Sequence, residues 1–360
     1  MNITIFGLSI SSSWGNGHAT LWRGLCRALS RMGHTVTFFE RDVPYYAQNR
    51  DRPDPDGCTL HLYRDWAEVL PTVRRSLEGA DAAIVTSYCA DARAATERML
   101  AASIPVCVFY DMDTPVTLDA LEQGKAVSYL PAEQLSDFDL VLSFTGGRAL
   151  SILKERLRAR AVAALYGSVD PEVHRPCEPV DAYRADLSYL GTYARDRQPA
   201  VEQLFAATAR AMPLHSFLLA GSLYPEELTW PGNVRTVSHV SPGDHPAFFG
   251  SSRLTLNVTR EPMAKMGYCP SGRLFEAAAC GVPLLSDAWE GLEQFFRPDA
   301  EILLARTTDD AVRAMCVPAE ELARIARRAR ERVLDEHSAT RRAEELVRLL
   351  ESHSGPTQGR

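Results

Sequence analysis

The sequence lacks an apolar run long enough to cross a membrane, and it lacks an excess of positive charge. Its 39 Lys and Arg residues are outnumbered by 46 Asp and Glu residues, which gives a net charge of −7. A membrane helix needs roughly 20 consecutive apolar residues, and nucleic acid or anionic lipid is bound by clustered basic side chains. We therefore expect no nucleic-acid partner and no stable membrane insertion.

Closely spaced cysteines are also absent. The eight cysteines are scattered along the chain, and none forms a C-x-x-C pair. Structural zinc sites and disulfide frameworks are normally recognised by such spacings. The first ten residues have a strand pattern and lack the basic start of a signal peptide. A reduced, cytoplasmic protein without structural zinc is therefore expected.

What the chain does contain is a regular alternation of short apolar segments and helical patterns. A strand at 2–8, a helix at 19–31 and a strand at 34–40 form a first βαβ unit. Alternation of this kind predicts parallel sheets covered by helices on both faces. Further strands are predicted at 59–63, 82–86, 105–110, 140–144, 162–165, 187–190, 216–219, 234–237, 254–258, 282–285 and 302–305.

A proline-containing stretch at 171–179 separates two such series. Because 360 residues comfortably form two domains, we predict an α/β protein with two Rossmann-like domains. Their predicted bounds are 1–168 and 169–335, and a helical tail follows at 336–360. Helical spacing of apolar residues extends from Pro318 to about Ser352.

The loop after the first strand nearly matches the dinucleotide fingerprint G-x-G-x-x-G, but Thr20 replaces the third glycine. Glu40 ends the second strand, where an NAD enzyme places its ribose-binding acid. A dehydrogenase is therefore an alternative. The same loop also allows a substrate to approach the backbone closely.

His18, at the start of the first helix, is a candidate general base. A helix N-terminus disfavours the imidazolium form, so a neutral imidazole that accepts a proton is expected there, exposed to substrate. Asp111 and Asp113 follow a buried strand and share a face if the chain is extended. One of them is suited to orient His18 or an acceptor hydroxyl, although a simple turn before Pro115 explains both equally well.

Basic residues follow two predicted strands of the second domain. Gly191 permits a tight turn, and Arg195 and Arg197 offer the fork-shaped donors that suit a diphosphate. Arg260 follows the strand at 254–258. In open α/β sheets, ligands bind beyond the carboxyl ends of the strands, so these residues are predicted to lie near one ligand.

The segment 267–287 predicts a loop, a helix N-terminus, a short helix and a buried strand. Ser271 is the expected N-cap, and the backbone N–H groups of Ser271, Gly272 and Arg273 are suited to a phosphate. Glu276 lies in the second turn, where its carboxylate can accept hydrogen bonds from sugar hydroxyls. A capped helix with a solvated Glu276 is the simpler alternative.

These motifs resemble a GT-B glycosyltransferase, and more narrowly the CgeB-like group. The resemblance covers nearly the whole chain and rests on Ser13–His18, Tyr110–Thr117, Leu190–Tyr193 with Asp196–Gln198, Leu256–Arg260 and Gly267–Asp287. It implies two Rossmann-like domains facing each other across a cleft and a C-terminal helix that crosses back. It also implies a nucleotide-sugar donor, UDP-sugar above all, in the C-terminal domain and an acceptor in the N-terminal domain. Neither a metal nor another cofactor is implied.

The sequence departs from the family pattern at one position. Retaining enzymes of this fold often carry two glutamates separated by seven residues, but the first position, counted back from Glu276, holds Tyr268. Retention or inversion of stereochemistry is therefore open. The resemblance and the motifs together assign catalysis to His18 and Asp113. They assign donor binding to Gly191, Arg195, Arg197, Arg260, Tyr268, Ser271, Gly272, Arg273 and Glu276, and acceptor binding to Gly15, Asn16, Gly17 and Asp111.

The leading hypothesis is a glycosyltransferase that acts on a hydroxyl or amine of a glycan, small molecule or protein. A nucleotide-sugar epimerase or hydrolase on the same fold is one alternative. A non-catalytic sugar- or nucleotide-binding protein of surface-layer or spore-coat assembly is another. Turnover of the donor, with and without an acceptor, distinguishes the three.

Overall fold

The computed structural model describes residues 1–130 and 135–354. It divides into two compact units. Unit 1 comprises residues 1–166 and the C-terminal segment from Ala339, and unit 2 comprises Gly167–Ser338. The predicted boundaries lie at 168/169 and 335/336, and residues 355–360 of the predicted tail lie outside the described residues. Within the described part of the chain, no helix has the length and apolar character needed to span a membrane.

Unit 1 contains a seven-stranded sheet in the order β3-β2-β1-β4-β5-β6-β7, and all its pairings in the described residues are parallel. β4 and β5 are buried at every position, as expected when helices cover both faces of a sheet. The strands are β1 (Asn2–Gly7), β2 (Thr35–Arg41), β3 (Thr59–Tyr63), β4 (Ala82–Thr86), β5 (Val106–Asp111), β6 (Leu140–Ser143) and β7 (Val162–Ala164).

The helices of unit 1 bury apolar faces against this sheet. Phe6, Phe39, Phe109 and Phe138 lie completely buried in its core. The helices are α1 (His18–Arg31), α2 (Pro44–Ala47), α3 (Trp66–Glu78), α4 (Ala92–Ala101), α5 (Thr114–Glu122) and α6 (Arg148–Glu155).

Unit 2 contains a six-stranded parallel sheet in the order β10-β9-β8-β11-β12-β13. Its core includes Tyr189, Phe205, Phe217 and Leu256. The strands are β8 (Ala185–Leu190), β9 (Phe217–Ala220), β10 (Val234–Val237), β11 (Ser252–Asn257), β12 (Leu284–Asp287) and β13 (Leu303–Ala305).

The helical region 198–211 of unit 2 contains a π-helical segment at Glu202–Ala206 between α7 and α8. The remaining helices of the chain follow, and α14 belongs to unit 1. They are α7 (Gln198–Val201), α8 (Ala207–Ala211), α9 (His245–Gly250), α10 (Glu261–Met266), α11 (Gly272–Ala279), α12 (Thr308–Met315), α13 (Ala319–Glu336) and α14 (Ala339–His353).

The sequence prediction of the strands is confirmed, since every predicted strand is present with ends shifted by at most two residues. The predicted helical tail from Pro318 to about Ser352 consists of two helices. The chain leaves the helix at His337 and Ser338, where the Val169 N–H donates to the His337 carbonyl at 2.9 Å and Val169 bridges Ser338. This backbone pairing separates α13, which packs on α11, from α14, which packs on α1.

The strand order reverses direction once in each sheet. In unit 1 the reversal lies between β1 and β4, and in unit 2 it lies between β8 and β11. Ligands of open α/β sheets bind beyond the carboxyl ends of strands at such a reversal. We therefore expect functional side chains in the loops that follow β1, β4, β5, β8 and β11.

Candidate functional site

The loop after β1 is held by Glu40, at the end of β2. The Glu40 carboxylate accepts hydrogen bonds from the Ser9 and Ser11 hydroxyls at 2.9 and 2.7 Å and from the Ile10 and Ser11 N–H groups at 2.7 and 2.9 Å. Glu40 has no exposed surface. Because this carboxylate is buried and hydrogen-bonded within the loop, it is not available to bind a cofactor ribose. The acidic residue on which the dehydrogenase hypothesis depended therefore has a structural role.

Gly15, Asn16 and Gly17 build the turn that starts α1. Gly15 has a φ of +67°, and a Cβ there would lie 2.6 Å from the Tyr45 hydroxyl. The Asn16 Oδ1 accepts a hydrogen bond from the Ala19 N–H at 3.1 Å, and Gly17 is the N-cap. Turn geometry therefore accounts for all three residues, and their contact with an acceptor stays a prediction.

His18, Asp113 and Ser87 come together at the ends of three elements of unit 1. The His18 Nε2 lies 2.9 Å from the Asp113 Oδ2, and the Ser87 hydroxyl donates to the same oxygen at 3.1 Å. Ser87 in turn accepts from the Met112 N–H at 3.0 Å. A carboxylate that holds one imidazole nitrogen leaves the other available for proton transfer, as in a catalytic triad.

The other nitrogen of His18, Nδ1, is buried and has no hydrogen-bond partner among the described residues. Only 8% of His18 is exposed, so the expected exposure of this side chain is wrong. Tyr88 lies beside it, with ring centroids 6.3 Å apart. Tyr88 has a φ of 59° and is itself exposed. A bulky residue in the left-handed region is strained, and such strain is common at functional sites.

Asp111 and Asp113 do not share a face. Asp113 is the N-cap of α5, whereas Asp111 ends β5 and has no exposed surface. The Asp111 Oδ1 accepts from the Asp113 N–H at 3.0 Å. Burial and the neighbouring Asp113 charge raise the pKa of Asp111 to about 7. The structure therefore places Asp111 beneath the turn that carries Asp113, away from any acceptor surface.

In unit 2, Arg273 lies against the end of β8. Its Nη1 donates to the Asn257 Oδ1 at 3.1 Å, and its Cζ lies 5.8 Å from the centroid of the Tyr189 ring. A Cβ on Gly191 would lie 2.7 Å from the Tyr189 hydroxyl and 3.2 Å from the Arg273 Nη2. Gly191 therefore leaves the space that the guanidinium occupies.

The other predicted arginines differ in their surroundings. Arg195 is exposed, whereas the Arg197 side chain donates to the Thr192 carbonyl. The Arg260 Nε lies 3.1 Å from the Asp196 carboxylate. Arg260 is therefore already compensated by an anion, and Arg195 and Arg197 are the cations of this loop better suited to a diphosphate.

The N-terminus of α11 has the predicted geometry at its cap position. Ser271 is the N-cap in an extended conformation and Gly272 begins the helix, but the Ser271 side chain makes no capping hydrogen bond. The hydroxyl therefore does not occupy the first-turn N–H groups that would bind an anion. Tyr268, which precedes them, has a φ of 49°, and its N–H donates to the Glu290 carbonyl at 2.7 Å.

Glu276, on α11, lies beside two histidines from distant parts of unit 2. Its Oε2 is 3.3 Å from the His245 Nδ1 and 3.9 Å from the His174 Nε2. Burial raises the pKa of Glu276, but His174, His245 and Arg273 outweigh it and lower the pKa to about 2. Glu276 is therefore an ionised acceptor, 12% exposed at its side chain, and not the solvated residue of the simpler alternative.

Sequence reasoning missed three of these residues. Ser87 follows β4 directly, so the rule that ligands lie beyond strand ends could have indicated it. His174 and His245 stand far from Glu276 in the chain, and no spacing motif joins them.

Part of the chain matches a known family. Residues 197–348 match the family described as "Glycosyl transferase-like", and this range contains Arg197, Arg273 and Glu276. No curated protein matches the chain.

Solved structures resemble the chain over nearly its whole length. Sucrose-phosphate synthase from Thermosynechococcus elongatus has a TM-score of 0.69 at 14% identity, over 97% of this chain and 98% of that chain. Anabaena HepE in complex with UDP and glucose has a TM-score of 0.67 at 14% identity, over 97% and 99%. The structure described as "Trehalose-6-phosphate from E. coli bound with UDP-2-fluoro glucose" has a TM-score of 0.64 at 12% identity, over 97% of this chain and 99% of that chain. The chain has the GT-B fold of glycosyltransferases.

Proposed function

We propose that the protein is a glycosyltransferase that moves a sugar from a nucleotide-diphosphate sugar to an acceptor hydroxyl or amine. One observation carries the proposal. An ionised carboxylate, Glu276, lies on the helix whose first turn presents N–H groups beside Arg273. A hydroxyl acceptor next to an anion site is what a nucleotide sugar requires, and the glycosyl transferase-like match at 197–348 includes both.

The donor binds unit 2 in this proposal. Glu276 accepts hydrogen bonds from the ribose hydroxyls, and the N-terminus of α11 with Arg273 binds the diphosphate. Arg195 and Arg197 follow β8 and add positive charge, whereas the charge of Arg260, after β11, is offset by Asp196. UDP is the proposed nucleotide because HepE and the E. coli structure hold UDP or a UDP-sugar.

The acceptor binds unit 1, with His18 as general base. The Asp113 carboxylate orients the imidazole through Nε2, and the imidazole takes the proton of the acceptor hydroxyl. The acceptor oxygen then forms a bond to the sugar C1 while the bond from C1 to the diphosphate oxygen breaks, and the diphosphate leaves with the electron pair. Direct displacement of this kind inverts the configuration at C1.

The α11 N-terminus and the arginines stabilise the charge on the departing diphosphate, so the proposed reaction needs no metal ion. These groups accelerate the reaction only as far as they bind the departing charge better than the intact donor. Membership of the CgeB-like group, indicated by the sequence motifs, is part of the same proposal.

The test is a panel of UDP-, dTDP-, GDP- and CMP-sugars, followed by melting temperature and by nucleotide release. We expect a thermal shift with one nucleotide family and nucleotide release that accelerates when an acceptor is added. Fast nucleotide release without an acceptor would replace the transferase with a hydrolase, and conversion of the donor sugar without net nucleotide release would replace it with an epimerase. Binding of no donor at all would refute the proposal.

A further inference from the structure

Three potential metal-ligating atoms lie together in unit 2. The His174 Nε2 lies 3.4 Å from the His245 Nδ1 and 3.9 Å from the Glu276 Oε2. The His245 Nδ1 lies 3.3 Å from the Glu276 Oε2. They come from the segment before β8, from the first residue of α9 and from α11. Within the residues that the structure describes, this is the group of three or more His, Cys, Asp or Glu side chains that could hold a metal ion.

These separations fit hydrogen bonds poorly. An N–H···O bond normally spans about 2.7–3.2 Å, and each of the three distances is longer. His174 is almost completely buried, and its Nδ1 has no hydrogen-bond partner among the described residues. The contacts of the His174 Nε2 with the His245 Nδ1 and the Glu276 Oε2 are therefore too long for good hydrogen bonds. A buried polar group normally has a partner.

The same separations fit the ligands of one small cation. The point in the plane of the three atoms that is equidistant from them lies about 2.1 Å from each, which is the bond length of Zn²⁺ to histidine nitrogen or carboxylate oxygen. Two histidines and a glutamate are also a common zinc ligand set, in which water or substrate takes the fourth position. The Glu276 and His245 side chains are 12% and 13% exposed, so the cluster has access to solvent on the side of these two residues.

We propose that His174, His245 and Glu276 form a Zn²⁺ site that competes with the donor. The metal binding stands on the geometry alone. The competition rests on the proposed function, because Glu276 cannot bind a zinc ion and a donor ribose through the same carboxylate at once. Zinc then weakens donor binding, and by linkage the donor weakens zinc binding by the same factor.

The test is calorimetric titration of the full chain, stripped with EDTA, with ZnCl₂ alone. We expect one zinc ion per chain, and a loss of affinity of more than about 100-fold in His245→Ala and Glu276→Gln. Groups that only orient a metal ligand already cost roughly 10- to 100-fold. CoCl₂ should give the visible absorption of tetrahedral Co²⁺ in the wild type and not in His245→Ala.

His215→Ala is the matched control. His215 is in the same unit and also faces a carboxylate, with its Nδ1 3.5 Å from the Asp186 Oδ2, but the described residues provide no third ligand there. Its zinc affinity should equal that of the wild type. Zinc binding that is equally strong in His245→Ala, or equally weak in the wild type and in every variant, would overturn the proposal. Melting curves in EDTA verify that each variant is folded.

The two proposals fail separately. Zinc titration contains no donor, so absent zinc binding leaves the glycosyltransferase proposal untouched. Donor titration in EDTA contains no zinc. Absence of donor binding would therefore refute the proposed function without testing the metal site. If both ligands bind, donor affinity that is unchanged by saturating zinc refutes the competition.

Discussion

Two largely buried carboxylates, one in each unit, have pKa values that are shifted in opposite directions. Asp111 in unit 1 has a pKa raised to about 7, and Glu276 in unit 2 has a pKa lowered to about 2. Burial favours the neutral acid in both cases. The difference arises from the neighbours, because Asp111 faces the negative Asp113 whereas Glu276 faces His174, His245 and Arg273.

This difference shows how one fold type holds two kinds of chemistry. In unit 1 the polar groups are bonded to one another at short distances, which suits the orientation of a base. In unit 2 the ionised carboxylate lies beside two imidazoles at longer distances, which suits binding of an external ligand. The predictions below test this contrast.

The largest effect is expected from Asp113→Asn. The neutral amide no longer stabilises a His18 imidazolium, and its NH₂ group can donate a hydrogen bond to the His18 Nε2. We therefore expect kcat to fall by roughly 10²- to 10⁴-fold. Donor affinity, a property of unit 2, should not change. Steady-state kinetics with calorimetric donor binding measure both quantities. The control is Asp119→Asn, an exposed residue of α5, and a similar loss of kcat in that variant would contradict the role of Asp113.

Glu276→Ala should have the opposite profile. Loss of an ionised acceptor for the ribose should weaken donor binding by about 100-fold, or about 3 kcal/mol. Glu290→Ala is the matched control, because it removes an exposed glutamate side chain of the same unit. Equal donor affinities for the wild type and Glu276→Ala by calorimetry in EDTA would show that unit 2 uses another group.

Gly191→Ala tests whether a side chain at position 191 would clash with Tyr189 and Arg273 beside β8. The new methyl group would meet the Tyr189 hydroxyl and the Arg273 guanidinium, so unfolding free energy should drop by about 1–3 kcal/mol. Denaturant unfolding measures this change. Gly232→Ala, where nothing lies within 4 Å of the added Cβ, should change stability little, and equal effects in the two variants would remove the steric explanation.

The last prediction concerns pH, and the sign of the pH effect on stability differs between the two carboxylates. The pKa of Asp111 rises on folding from its ordinary value of 3.8 to about 7, so its ionisation costs stability progressively as the pH rises through this range. Asp111→Asn removes that cost, and its stability relative to the wild type should improve between pH 4 and pH 7.

The pKa of Glu276 falls on folding from its ordinary value of 4.5 to about 2. Its stabilising contribution is therefore complete above pH 4.5 and is lost as the pH falls toward 2. Glu276→Gln should be less stable than the wild type at pH 6, with a smaller difference at pH 3. Urea unfolding across pH 3–7 measures both variants, and parallel pH profiles for the two would contradict the comparison.

Much of the fold could be predicted from the sequence because strand and helix patterns depend on residues close together in the chain. The β-branched and apolar segments at 59–63, 82–86 and 234–237 predict the observed strands residue for residue. Ser271 was predicted as the N-cap of α11 from the proline and serine before the helix. The break at His337 was not predictable, because it depends on pairing with Val169 from a distant segment.

The candidate site was predictable only in part. Strand-end rules indicated His18, Asp113, Arg273 and Glu276, because a parallel sheet brings the carboxyl ends of its strands to one edge. The same rules did not separate Asp111, which is buried, from Asp113, which bonds to His18. Solvent access depends on packing of side chains over the turn, which the alternation along one strand does not specify.

The sequence by itself determined the order of strands and helices along the chain and the residue types at the strand ends. The tertiary structure alone decided which charges surround each carboxylate and which imidazoles approach Glu276. The physical reason is that secondary structure follows from local periodicity, whereas burial and Coulomb interactions depend on distances between atoms that are far apart in the chain.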